Sequence, residues 1–352
     1  MLKLKITTIL LAIIILSGCI GGSPKESGSA IGGVMRSDDS GNSFISKSKI
    51  DEKTSLVRTN VLSMAIDPSD GDTVYAGTQE NGLYVSDNKG ELWKSLNLPL
   101  ANIRGIIINP QNTRNIYVSG MLNGRGTIFR TDDKGENFKE IYIEPIDGTN
   151  ITALNIHPKN PNIIYAGLSS SLLIRSFNGG KTWEDLFSLE EANILEILFD
   201  ADDVKTIYVL NSKNGLYKSR DGSLTFTDVS LLEREEDQKI YEGNIYSLAV
   251  DSVVSGVVLV GTDNGVFQSI DYGRSWKEVD TIDSVKGIPI YALAINPHNT
   301  DQIVYAAAKA VYTKIGNSWA ITDTTSNRVV NVIKHDPVKN GIIYMGLMSV
   351  GK

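Results

Sequence analysis

The chain of 352 residues contains one cysteine, Cys19, and three histidines. A single cysteine closes no disulfide within the chain and builds no thiolate metal centre. The histidines, His157, His298 and His335, occupy equivalent turns of separate repeats and are expected not to converge. Long apolar runs are scarce too. Apart from Ile6–Leu16, no segment is apolar enough to span a bilayer. Basic residues fall short of acidic ones, 34 against 41, for a net charge of −7. Such a chain is a poor nucleic-acid binder. No cofactor or metal motif is present. With more than 300 residues the chain can bury an ample core without cross-links.

What the chain does have is a repeat, Ser/Thr-x-Asp/Asn-x-Gly-x-x-Trp/Phe. Its acidic or amide members are Asp39, Asn88, Asp133, Asn178, Asp221 and Asp271. Ser223 stands in the glycine slot of the fifth copy. A seventh copy, Thr313, Gly316 and Trp319, is one residue short and has no acid. First residues are spaced 49, 45, 45, 43, 50 and 44 apart. A period near that of a four-stranded unit is the signature of a β-propeller.

Each unit carries the strand signal of short β-branched and aromatic runs between Gly, Pro, Asn and Asp. In one unit these runs are Val61–Asp67, Thr73–Gly77, Gly82–Ser86 and a strand opening at Trp93. Columns repeat in register. One turn column holds Asp67, Asn109, His157, Asp200, Asp251, Asn296 and Asp336. An aromatic column holds Phe44, Trp93, Phe138, Trp183, Phe226, Trp276 and Trp319, expected between neighbouring blades. The last unit, from Val329, lacks third and fourth strands, and Gly33–Ser48 supplies that missing pair. The expected fold is all-β: a seven-bladed propeller of four-stranded antiparallel blades, its last blade closed by N-terminal strands.

The repeated motif resembles the Asp-box, or BNR repeat, over nearly all the chain from Val34. The resemblance implies a hairpin turn between third and fourth strands. Asp or Asn bonds to the backbone there and Gly takes positive φ. The box aspartates then belong to the turn and are not free acids. In architecture the chain is similar to photosystem II assembly/stability factor propellers, and more distantly to sortilin-type receptors and Asp-box glucanases.

Met1–Leu16 has a charged start, Lys3 and Lys5, before its apolar core. Leu16-Ser17-Gly18-Cys19 resembles a prokaryotic lipobox, which implies cleavage before Cys19 and lipid on its thiol. The expected organisation is a signal peptide at 1–18, a Gly/Ser-rich tether at 19–32 and a propeller at 33–352. The mature chain, of charge −9 without Lys3 and Lys5, is placed outside the cytoplasm on a membrane.

Candidate chemistry is sparse. Arg36, Arg130 and Arg175, with Lys218 and Gln268, precede the motif, a column away from the central opening. No sialidase-type Arg-Ile-Pro signature accompanies them. Glu196 stands alone where other first strands have Ser63, Gly105, Ala153, Ser247 and Ala292. It is the one weak catalytic candidate, and otherwise a channel residue. In the glucanases the resemblance implies a site between two propellers, and this length suffices for one.

Loops joining blades, and second to third strands, share the face opposite the motif turns, and binding is expected there. Asn60, Asn102, Asn150, Asn193 and Asn244 ring that face. Arg104, Arg125 and Arg328 lie toward it, as do the insertion Asp228–Gly243, the lengthened loop Gly120–Gly126 and the connection Asp280–Pro289. Tyr142, Tyr241, Tyr246 and Tyr291 remain as aromatic platforms. The candidate binding set is Arg104, Arg125, Glu196, Tyr241 and Arg328. The expected role is a non-enzymatic scaffold docking an envelope or membrane protein. The alternative is a surface carbohydrate-binding protein or Asp-box glycoside hydrolase whose partner is a glycan.

Overall fold

The computed structural model describes residues 32–350, except 190–191, 214, 231, 234–238, 242–243 and 281–284. The signal peptide, Cys19 and most of the tether lie outside these residues.

Among the described residues, seven four-stranded antiparallel sheets form, with one additional two-stranded hairpin. One blade contains Val61–Ile66, Val74–Thr78, Leu83–Ser86 and Lys94–Leu96, close to the runs read from sequence. The first strands of successive blades touch one another in cyclic order, and Val329–His335 returns to Val61–Ile66. The result is a closed ring with first strands innermost. In the closing blade Gly33–Ser37 pairs antiparallel with Ile343–Met348, with Val34 opposite Gly346 and Arg36 opposite Tyr344. Ile45–Ser46 forms its outer edge and Val329–His335 its inner one.

The aromatic column fills the seams between blades. Trp93, 1% exposed, packs with Val34 and Tyr344 of the closing blade. Its indole N–H donates to the Lys47 carbonyl at 2.6 Å. Trp276 likewise joins Tyr208 of the blade before it. Each such burial contributes about 2–3 kcal/mol.

The motif turns share one geometry. Ser37 Oγ accepts from Gly41 N at 2.8 Å and donates to Asp39 Oδ1 at 2.7 Å. The same pair of bonds recurs at Ser86, Thr131, Ser176, Ser219 and Ser269. Asp133 and Asp221 accept further bonds, the leading ones from the Thr131 and Thr225 hydroxyls, and both carboxyls are held down at about 2. Thr313 starts no such turn. Its hairpin closes more tightly, Ile315 pairing with Ser318.

The residue three after each Ser/Thr lies in the left-handed region, as at Lys89 (φ 60°) and Tyr272 (φ 66°). Its N–H bonds a carbonyl of its own blade's first turn, as Lys89 does to Asp72 and Tyr272 to Gly256. Its carbonyl faces the preceding blade. There Arg36 Nη1 reaches Lys89 O at 2.5 Å, Arg130 Nη1 reaches Gly179 O at 3.3 Å and Arg175 Nη1 reaches Gly222 O at 3.1 Å. Lys218 Nζ reaches Tyr272 O at 2.6 Å. At two further seams Gln302 Nε2 takes Ser40 O and the Tyr75 hydroxyl takes Lys134 O. The basic column thus clips one blade to the next.

Two details differ from the sequence reading. Gly120–Gly126 is not a loop but an extension of two strands, closed at Asn123-Gly124 with both φ positive, a favoured hairpin turn. His298 and His335 do approach, because their blades are neighbours. The positive field of His298 and burial, the larger effect, hold His335 down at about 4. His298 Nε2 lies 3.0 Å from the Asp336 carbonyl. His157 stays apart, its Nδ1 accepting from Lys159 N and Asn160 N as a turn oxygen would.

Removing a clip is expected to loosen a seam. Arg175→Ala should cost about 2–3 kcal/mol in urea unfolding. Arg125→Ala, which loses an exposed pair with Asp147, should cost under about 1 kcal/mol. Equal losses would refute the clip.

Candidate functional site

The first strands border the channel. Side chains on them bond across the seams: Ser63 Oγ to Ile103 O at 2.8 Å, Thr152 Oγ1 to Ile194 O at 2.6 Å, Ser247 Oγ to Ile290 O at 2.7 Å and Asn331 Nδ2 to Leu62 O at 3.1 Å. Glu196 belongs to this set through a different bond, its Oε1 accepting from Leu248 N at 3.3 Å.

Glu196 is the only acid in the seven inner strands. Its surface is partly open, although protein encloses it on every side, as in a narrow channel. Desolvation raises its carboxyl to about 7, against smaller lowering effects from Lys334 and the Leu248 amide. Lys334, on the inner strand of the closing blade, is exposed. Neither Lys334 nor Arg104 makes a hydrogen bond or ion pair among the described residues. Arg104, on the inner strand Ala101–Ile108, is exposed, and partial desolvation by the surrounding protein lowers its pKa.

Near the loop-face end, Arg104, Thr152, Tyr246, Tyr291 and Asn331 stand at one level, each five residues before the turn column. The rings of Tyr246 and Tyr291 meet edge to face, 5.2 Å apart at 76°. Both are partly exposed, and neither hydroxyl has a hydrogen-bond partner among the described residues. Tyr291 also borders an apolar cavity of about 290 Å³ with Ile288, Pro289, Ala308, Val329 and Val350. The mouth therefore combines an aromatic platform, a cation and, one residue deeper, a carboxyl poised near neutrality.

The other candidates lie elsewhere. Arg328 donates to the carbonyls of Thr59 and Arg58 and to Asn60 Oδ1, tying the closing blade to its neighbour. Arg125 pairs with Asp147. Tyr241 is in the hairpin of Leu232–Glu233 with Lys239–Tyr241, within the insertion at 228–243. In the asparagine ring, Asn60, Asn150 and Asn193 accept at their carbonyls from Gln79, Ser169 and Ser212, which fastens the two sets of loops on one face. Arg36, Arg130 and Arg175 are on separate seams and do not converge. Among the described residues no group of three His, Cys, Asp or Glu side chains could hold a metal ion. No helix of these residues is long and apolar enough to cross a membrane. Sequence reasoning missed Lys334 and Asn331, although aligning every first-strand column would have found them.

No protein-family model matches the chain. It is 22% identical over 335 residues to a probable oligoxyloglucan-reducing end-specific xyloglucanase of Neosartorya fischeri, covering 79% of this chain and 39% of that protein. Among solved structures it is similar to the GH74 xyloglucanase from Xanthomonas campestris, with a TM-score of 0.67 and 16% identity, over 82% of this chain and 51% of that one. It is also similar to YCF48 from Cyanidioschyzon merolae, with a TM-score of 0.58 and 13% identity, over 82% of this chain and 95% of that one. The fold is shared with both solved structures. The chain spans well under half of the curated relative and about half of the xyloglucanase structure.

The raised Glu196 carboxyl gives a signed prediction. The unfolded chain loses this proton near pH 4.5 and the folded chain near 7, so ionisation opposes folding as pH rises between them. Glu196→Gln keeps an acceptor for Leu248 N. The variant should match wild type below about pH 4.5 and exceed it by about 1–3 kcal/mol above pH 7, channel water tempering the full effect. A constant difference across pH, read by urea unfolding, would contradict the raised carboxyl.

Proposed function

We propose that this chain is an Asp-box propeller that engages polysaccharide at its channel mouth, as part of a glycoside hydrolase of the xyloglucanase type. The observation that carries this reading is the sequence relationship to a xyloglucanase across most of the chain. The mouth supplies chemistry to match. The partly exposed Tyr246–Tyr291 pair offers a surface for a sugar ring. Glu196, protonated to about pH 7, is suited to donate a proton to a leaving glycosidic oxygen. Such hydrolysis takes two carboxyl groups. With one acid on the inner strands, the second would come from a loop or from protein beyond this propeller.

A second reading is a docking scaffold for an envelope or membrane protein, presented on the loop face. It is supported by YCF48, which the chain matches over nearly that protein's whole length. Both readings place the propeller outside the cytoplasm, held to a membrane by lipid on Cys19, as the lipobox-like Leu16–Cys19 suggests.

Full-length protein should bind xyloglucan oligosaccharides by calorimetry and release reducing ends from them. Tyr246→Ala or Tyr291→Ala should weaken binding about tenfold. Glu196→Gln should abolish cleavage while retaining binding. Absence of both binding and cleavage across xyloglucan, other β-glucans and acidic oligosaccharides, with one envelope protein recovered by cross-linking, would transfer the assignment to the scaffold. In cells fed an alkyne-tagged fatty acid, the protein should be labelled and Cys19→Ala should not. Equal labelling of both would remove the lipid anchor at Cys19.

A further inference from the structure

The mouth contains a charge that a neutral sugar would leave unanswered. Arg104 is on the second blade, at the same level of the first strands as Tyr246 and Tyr291 on the fifth and sixth. It has no ion pair and no hydrogen bond among the described residues, although the surrounding protein partly strips its water. An enclosed cation without a counter-ion is costly, and the cost is offset when an anion arrives. Three other arginines that lose contact with water are occupied. Arg36 and Arg175 pair with acids and clip seams, and Arg328 is held by carbonyls.

Among the described residues no acid pairs with Arg104. Glu196 is the sole carboxyl on the inner strands, and the cation that acts on it is Lys334. Lys334 stands three residues nearer the motif face and also lacks an ion pair among the described residues. Among the described residues the inner strands therefore carry two cations without an ion pair against one acid, within a chain of net charge −7. Such a focus of positive charge draws in anions. A guanidinium selects carboxylate in particular, through paired N–H donors.

We infer that the glycan taken at this mouth is acidic: an oligosaccharide bearing uronic acids, with a sugar ring against Tyr246 and Tyr291 and a carboxylate, from that ring or another of the same oligosaccharide, at Arg104. The inference rests on the glycan reading above and narrows its substrate class. Lys334 is positioned to meet a second acidic residue of a chain reaching deeper into the channel.

The test uses full-length protein and calorimetric titration with tetragalacturonate, its methyl ester and a xyloglucan heptasaccharide. The ester keeps the skeleton and removes the charge. Tetragalacturonate should bind at least tenfold more tightly than its ester, and the gap should shrink as salt is raised. Arg104→Gln should erase the gap while leaving the affinity for the ester within about twofold. Because Arg104 makes no hydrogen bond or ion pair among the described residues, the variant's melting temperature should stay near wild type. If acid and ester bind equally, or Arg104→Gln weakens both alike, the inference is overturned and the glycan reading stands. If no saccharide of the three binds, the glycan reading itself falls and takes the inference with it.

Discussion

The ring depends on one peptide unit per blade. In each complete motif, the residue before the glycine slot is forced into the left-handed region. Its N–H is held by the first turn of its own blade and its carbonyl is presented to the blade before. A single residue thereby fixes a hairpin and a seam together. The Ser or Thr hydroxyl and the Asp or Asn oxygen hold the strained turn in shape, so the hydrophobic seams meet in one register. The following glycine is needed for space as well as for φ. At Gly41 an added methyl would lie 2.4 Å from the Thr313 hydroxyl of the preceding blade.

This arrangement accounts for what the sequence disclosed. Turn and aromatic columns recur because every blade solves the same packing problem, so fold, strand limits and the closing blade were legible. The purpose of the basic column was not. Its partner is a backbone carbonyl, and Lys89 or Tyr272 gives no sign in one-dimensional text of a left-handed conformation. The Asn123-Gly124 hairpin was hidden by the opposite error, because a longer unit was read as a longer loop. The meeting of His298 and His335 depended on the short distance between adjacent inner turns, which repeat spacing does not express.

The candidate site was partly legible for a related reason. Repetition marks structure, and departure from repetition marks the places free to do something else. Glu196 and Arg104 both interrupt columns of small or uncharged residues. What the sequence could not supply was their electrostatic setting. The same Glu196 on an outer strand would be an ordinary carboxylate. In the channel it keeps its proton to about pH 7 because water is scarce and the one cation acting on it is weakly coupled. The site is thus made by the ring rather than by any one blade, since its residues come from several blades.

The closing blade also sets an order of events. Gly33–Ser37 finds its main partner in Ile343–Met348, some three hundred residues later. A ribosome makes the first strand early and its complement last. Until then the first strand's edge is unsatisfied, and so is the free flank at each end of the arc of blades already assembled. The growing chain must therefore wait, as an open arc with two sticky ends, until the final stretch emerges and the circle can shut.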